Sequence, residues 1–169
     1  MPKKPSTKVG PKKLKSKEKR LVIISNRLPI SVSRKGSHLS IKPSAGGLVT
    51  ALGPVLRNRG GLWLGWNGVA ENVRTEHLVN KETQSIGYKL VTVGLTEQEL
   101  SDYYYGFSNE IIWPLFHSLQ TLCNYNPNFW TAYERVSEKY AHGISKIAQE
   151  DDFIWVHDYH LMTMGRELR

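Results

Sequence analysis

Cysteine is almost absent from this chain of 169 residues, since Cys123 is the only one. An intrachain disulfide and a cysteine-rich zinc site are therefore both excluded. Long hydrophobic runs are also missing, because apolar stretches such as 21–24 and 153–156 fall far short of the roughly 18–20 residues that span a bilayer. The glycine and proline contents exclude collagen-like and low-complexity chains. We therefore expect one domain of ordinary size, without a membrane partner, in a reducing compartment such as the cytoplasm.

The net charge of +8 belongs to one end of the chain. Residues 1–20 hold nine lysines and arginines against the single acid Glu18, whereas the remaining sequence is balanced at 14 basic and 14 acidic residues. The first 20 residues have no apolar periodicity and too few apolar residues to bury. We predict a disordered basic tail over 1–20 and a folded part over 21–169. Nucleic acid is not expected as a partner, although weak tethering of the tail to nucleic acid or an anionic surface stays open.

The folded part alternates between short apolar runs and helical patterns. Predicted strands cover 21–24, 62–66, 88–95 and 153–156, and the segment 28–44 is either a hairpin or a long excursion closed by a glycine turn. A first helix is opened by residues 44–47 and ended by Gly60-Gly61, with Pro54 marking a kink or an early stop, and further helices cover 96–113 and about 128–149. Thr96 and Glu99 form a capping-box pattern at the start of the second helix, and Pro114 is expected to end it. Alternating strands and helices predict an α/β fold with a mostly parallel, Rossmann-like sheet.

Polar clusters follow several of these strands and should meet at one rim of the sheet, where ligands of such folds bind. Arg27 and the pair Gly46-Gly47 suit a phosphate, because the arginine offers a bidentate fork and the glycines open a helix N-terminus. Two glycines before a helix can equally be a simple turn. Asp158 suits hydrogen bonds from sugar hydroxyls or a helix cap, and a metal site with its neighbouring histidines lacks a third ligand.

The order of the motifs is more specific than any one of them. It runs Ser25-Asn26-Arg27-Leu28-Pro29, Ser44-Ala45-Gly46-Gly47-Leu48, Gly61-Leu62-Trp63-Leu64-Gly65-Trp66-Asn67-Gly68, Tyr103-Tyr104 with Trp113-Pro114, and Trp155-Val156-His157-Asp158-Tyr159-His160. From residue 21 to residue 169, this order closely resembles the N-terminal part of the trehalose-6-phosphate synthases. These are retaining glycosyltransferases of GT-B fold that join UDP-glucose to glucose 6-phosphate.

The resemblance implies a role for each matching position. Arg27, Tyr104 and Asp158 match acceptor-binding residues, and Asp158 is the candidate catalytic residue because it holds the acceptor sugar. Trp113 and Trp66 match tryptophans that shape the acceptor pocket, and Gly46 with Gly47 matches the loop near UDP-glucose. The resemblance implies no metal and no cofactor besides the donor substrate UDP-glucose.

The same resemblance implies an incomplete N-terminal, acceptor-side domain, with the C-terminal nucleotide-sugar domain absent and no transfer by the chain alone. One alternative is a non-catalytic truncated paralogue that binds sugar phosphate or a synthase subunit. Another is a related synthase such as a glucosylglycerol-phosphate synthase. A homo-oligomer or a synthase partner also stays open.

Overall fold

The computed structural model describes residues 19–36 and 38–169. Its strands are β1 (Leu21–Arg27), β2 (Ile30–Lys35), β3 (His38–Pro43), β4 (Gly61–Trp66), β5 (Lys89–Thr92) and β6 (Phe153–Val156). Its α-helices are α1 (Gly47–Arg59), α2 (Glu76–Ile86), α3 (Glu97–Glu99), α4 (Trp113–Phe116), α5 (Pro127–Ser145) and α6 (Met164–Glu167). A π-helix, Leu100–Ile112, joins α3 to α4, and short 3₁₀ turns lie at Gln120–Leu122 and Tyr159–Leu161.

The main sheet is parallel, as the alternating pattern predicted, and its strand order is β5-β4-β1-β6. The chain moves outward from β1 through β4 to β5 and then returns to place β6 on the other side of β1. The order therefore reverses between β1 and β6, and such a reversal opens a crevice at the carboxyl ends of the strands. Of the two alternatives for 28–44, the structure has the hairpin, as the antiparallel pair of β2 and β3.

Successive residues of β1 point to opposite faces of the sheet and enter two separate cores. Leu21 and Ile23 pack with α1 and α2, whereas Val22 and Ile24 pack with α5. Burial on both faces explains why β1 is a continuous apolar run rather than an alternating one.

The helical segment from α3 to α4 begins as the sequence predicted. The Thr96 hydroxyl accepts a hydrogen bond from the Glu99 amide at 3.0 Å, and the Glu99 carboxylate accepts one from the Thr96 amide at 2.9 Å. The prediction that Pro114 ends this helix is wrong, because the segment continues to Phe116. Pro114 lies in the first turn of α4, where its fixed φ is compatible with a helix.

Two helices differ from the sequence analysis. The sequence pattern does not predict α2, whose buried residue is Val79. Helix α5 ends at Ser145 rather than at residue 149. Trp130 of this helix is 41% exposed and packs at the edge of the core against Phe107.

The boundary of the predicted tail also shifts. Residues 1–18 of that tail lie outside the described residues, but Arg20 belongs to the folded part. Its guanidinium donates to both carboxylate oxygens of Asp152, at 2.7 and 2.6 Å, and its carbonyl accepts from the Phe153 amide. Within 19–36 and 38–169, no helix combines the length and apolarity needed to cross a bilayer.

Candidate functional site

A cavity of about 360 Å³ opens at the carboxyl ends of β1 and β6, where the strand order reverses. Five separate parts of the chain supply its walls: the end of β1, the start of α1, β4, the π-helix and the turn after β6. The lining residues are Ser25, Asn26, Arg27, Leu28, Ser44, Ala45, Gly46, Gly47, Leu48, Val49, Trp63, Tyr104, His157, Asp158 and His160. The structure thus brings together Arg27, Gly46, Gly47, Tyr104 and Asp158 from the predicted set.

The Arg27 side chain is exposed, and its guanidinium lies over the face of the Trp66 ring. The guanidinium carbon lies 4.8 Å from the centre of the Trp66 ring, a cation–π distance. Trp66 itself is buried, and its indole nitrogen donates to the Val69 carbonyl at 2.7 Å. The ring therefore orients the arginine, and Trp66 is not itself among the described residues that line the cavity.

Gly46 and Gly47 bring the N-terminus of α1 to the cavity. Gly46 has φ 158° and ψ 155°, a region of backbone conformation that is essentially restricted to glycine. A Cβ added to either glycine would meet no described atom within 4 Å, so the space above both residues is open. No side chain of the described residues caps the helix, and its first amides are available to an anion.

Asp158 lies in a turn immediately after β6, and its backbone is strained. Its φ of 75° is unusual for a residue other than glycine, and such strain is common at binding and catalytic sites. One carboxylate oxygen accepts from the Tyr159 amide at 2.7 Å, so the aspartate also caps the following 3₁₀ turn. Asp158 can therefore both cap this turn and bind a ligand, because its second carboxylate oxygen accepts from no backbone amide among the described residues.

His160, which the sequence suggested only as a possible metal ligand beside Asp158, lines the cavity. Its ring stacks on Tyr104 at 5.5 Å and on Tyr159 at 4.2 Å between ring centres. Nδ1 is buried without a hydrogen-bond partner among the described residues, and it lies 3.4 Å from an Asp158 carboxylate oxygen. Burial lowers the pKa of His160, and the nearby Asp158 opposes this effect only in part.

The Tyr133 hydroxyl, which contacts the turn after β6, keeps its proton. Burial raises the pKa of Tyr133 to about 12, and its hydroxyl donates to the Tyr159 carbonyl at 2.6 Å while it accepts from the Met162 amide at 2.8 Å. Tyr133 therefore fixes the backbone that follows Asp158.

Trp113 differs from the rest of the predicted set. It is 42% exposed and stacks on His117 at 4.0 Å, and it is not among the described residues around the cavity. Its assignment to the acceptor pocket stays a prediction. Among the residues described, no group of three histidine, cysteine or acidic side chains is placed to hold a metal ion.

Comparison with known proteins identifies the family. The profile described as "Glycosyltransferase family 20" matches residues 19–169. The chain belongs to this family. A trehalose-6-phosphate synthase of Mycolicibacterium vanbaalenii is 38% identical to this family 20 chain over 149 residues, which are 88% of the chain and 30% of the relative. The UDP-forming α,α-trehalose-phosphate synthase A of Dictyostelium discoideum is 36% identical, over 89% of the chain and 20% of the relative.

Solved structures of family 20 relatives share the fold. One, from E. coli and described as bound with UDP-2-fluoro glucose, aligns with a TM-score of 0.68 at 33% identity over 88% of this chain and 30% of that one. Another, from Burkholderia xenovorans in complex with glucose-6-phosphate, aligns with a TM-score of 0.65 at 31% identity over 88% and 31%. The predicted fold class is confirmed: a Rossmann-like α/β sheet that spans about 30% of a GT-B glycosyltransferase.

Proposed function

We propose that this chain forms the acceptor-binding side of a UDP-forming trehalose-6-phosphate synthase, and that its cavity binds glucose 6-phosphate. One observation carries the proposal: Arg27, Tyr104 and Asp158, which are far apart in the sequence, line a single cavity at the strand-order reversal. A family 20 relative that is 31% identical was solved with glucose-6-phosphate, which supports the same ligand here.

The chemistry of each side chain suits a different part of this ligand. Arg27 is an exposed guanidinium on an aromatic support, and it can hold a phosphate dianion through two parallel hydrogen bonds. Asp158 retains a carboxylate oxygen that can accept from sugar hydroxyls. Tyr104, held against His160, adds a flat apolar face that packs against a sugar ring.

The donor UDP-glucose would approach from the side of Gly46 and Gly47. Both glycines leave open space above the backbone, and the uncapped amides of α1 favour a negatively charged diphosphate. Since the chain spans 30% of the bacterial relative, the remaining donor contacts would come from parts of the protein that these residues do not include. We infer that the chain binds the acceptor but does not transfer glucose by itself, that it needs no metal, and that it works in the cytoplasm.

The test is calorimetric titration of the chain with glucose 6-phosphate, and with glucose as the uncharged control. Arg27→Ala should weaken glucose 6-phosphate binding by about ten- to a hundredfold, because hydrogen bonds to a charged group contribute roughly 1.5–3 kcal/mol. The matched control is Arg34→Ala, since Arg34 is exposed on β2 and its guanidinium Nε donates to the Gly36 carbonyl. Equal affinities for the three proteins would contradict the proposal.

A second titration and an activity assay separate the alternatives. Glycerol 3-phosphate that binds more tightly than glucose 6-phosphate would favour a related synthase with a polyol acceptor. Incubation of the chain with UDP-glucose and glucose 6-phosphate should give no trehalose 6-phosphate, and product formation would contradict the inference that the chain holds only the acceptor side.

A further inference from the structure

The end of β1 receives hydrogen bonds from aromatic side chains on both faces of the sheet. On the face of α1, the Trp63 indole nitrogen donates to the Ser25 hydroxyl at 2.8 Å. On the face of α5, the Tyr140 hydroxyl donates to the Asn26 carbonyl at 2.6 Å, and the Tyr103 hydroxyl donates to the Asn26 side-chain oxygen at 3.2 Å. All three aromatic side chains are fully buried, and Asn26 is 7% exposed.

These bonds occur where the regular pairing of the sheet is interrupted. The register between β1 and β4 shifts between Ile24 and Arg27, so the intervening residues are not held by an uninterrupted ladder. A buried carbonyl or amide without a partner is costly, and the tyrosine hydroxyls supply the partners that the ladder does not. Burial also raises the pKa of Tyr140, so its hydroxyl stays a donor over the physiological range.

The geometry connects these tyrosines to Arg27 through one peptide group. The Asn26 carbonyl and the Arg27 amide belong to the same planar peptide group. The hydrogen bond that holds the Asn26 carbonyl therefore also fixes the orientation of the Arg27 amide. The Ser25 hydroxyl then donates to the Arg27 carbonyl at 2.7 Å, which holds the other side of the residue. The Arg27 side chain is exposed, and its guanidinium lies over the Trp66 ring.

We propose that Tyr140 and Tyr103 are positioning residues for Arg27, which they act on through Asn26 without touching the ligand. The inference rests on the proposed function in one respect, namely that Arg27 binds the phosphate of the acceptor. Tyr140 has the larger effect, because its bond is the shorter one and reaches the peptide group shared with Arg27.

The experiment is a double-mutant cycle on glucose 6-phosphate affinity, with melting temperature measured in parallel. Tyr140→Phe keeps the ring and removes the hydroxyl, and it should weaken binding about five- to tenfold, the effect of one net hydrogen bond. In the Arg27→Ala background, the same change should alter affinity less than about twofold, because a residue that acts through Arg27 has nothing left to position. A structural loss alone would lower affinity equally in both backgrounds.

Ser137→Ala is the matched control. Ser137 is buried on the same helix and accepts a hydrogen bond from Thr163 at 2.8 Å, and neither residue lines the cavity. This variant should lower the melting temperature but leave affinity unchanged. Should Tyr140→Phe fail to fold, Tyr103→Phe, which removes the longer bond, takes its place and should weaken binding in the same Arg27-dependent way.

A second measurement separates this inference from the proposed function. In amide NMR spectra of the chain without ligand, Tyr140→Phe should shift the Arg27 resonance and speed its hydrogen exchange, whereas Ser137→Ala should do neither. Wild-type protein that binds no glucose 6-phosphate would contradict the proposed function, and the Arg27 resonance would still decide the positioning role. An unchanged Arg27 resonance in both tyrosine variants, or an affinity loss that persists in the Arg27→Ala background, would overturn the inference.

Discussion

His160 couples the candidate site to pH at the scale of a single residue. Burial between the Tyr104 and Tyr159 rings lowers its pKa below the ordinary value of 6.5. As the pH falls through 6.5, the unfolded chain therefore takes up a proton that the folded chain still excludes. The folded state loses stability over that interval, down to the lowered pKa.

We therefore predict that the melting temperature falls as the pH is lowered from 7 to 5, and that His160→Gln reduces this dependence. The matched control is His77→Gln, which changes an exposed histidine of α2. The measurement is thermal unfolding followed by circular dichroism at closely spaced pH values. Identical pH profiles for the wild type and His160→Gln would contradict the prediction.

Some site residues could be predicted from the sequence because their chemistry is unusual for their position. Arg27 and Asp158 are charged residues two or three positions after the apolar runs 21–24 and 153–156, and the pair Gly46-Gly47 stands at the start of a helix. Tyr140 carries no such signal, because a tyrosine at helical spacing is usually core. Only the coordinates bring the Tyr140 hydroxyl to the Asn26 carbonyl, 114 positions apart in the chain.

Gly106 determines how the π-helix packs against α5, at the scale of the element. A Cβ at this position would lie 2.7 Å from the Phe129 ring, a distance that real contacts essentially never show. Gly106→Ala should therefore cost about 1–3 kcal/mol of the free energy of unfolding, as overpacked cores do. Urea unfolding measures this difference.

The control for Gly106→Ala is Gly165→Ala, in α6, where an added Cβ would meet no described atom within 4 Å. That variant should be neutral or slightly stabilising, because alanine has the higher helix propensity. A Gly106→Ala protein as stable as the wild type would show that the π-helix and α5 are free to move apart.

The elements differ in how far the sequence predicts them. The strands of the main sheet contain apolar runs, and β1 is buried on both sides. In β6, by contrast, Ile154 and Val156 are only partly buried and Phe153 and Trp155 are exposed. Helix α2 escaped prediction because it has only three apolar residues, Leu78, Val79 and Ile86, and Val79 is the only buried one. A π-helix cannot be inferred from a period of 3.6 residues, since its backbone hydrogen bonds join residues five apart.

At the scale of the whole molecule, Arg20 and Asp152 join the start of β1 to the turn before β6, 132 positions later. The Asp152 side chain is 1% exposed, and the hydrogen bonds from Arg20 hold its pKa below the ordinary range. Its contribution to stability is therefore present above pH about 4 and is lost in more acidic solution. This pair also explains why the folded part begins before residue 21.

Asp152→Asn should lower the free energy of unfolding by about 1–3 kcal/mol at pH 7, because it leaves the Arg20 charge partly buried without its counter-charge. Asp151→Asn is the matched control, since Asp151 is the exposed neighbour in the same turn. Chemical unfolding at pH 7 and again at pH 3 gives the comparison, and the difference between the two variants should shrink at the lower pH. A difference that is the same at both pH values would contradict an ionic origin.

The cavity draws its walls from residues between Ser25 and His160, which is most of the described chain. No local segment can therefore assemble a binding surface before β6 has docked beside β1. A ligand bound in the cavity would contact residues from both early and late parts of the chain. Ligand binding should therefore stabilise the whole domain against cooperative unfolding, and not only one loop.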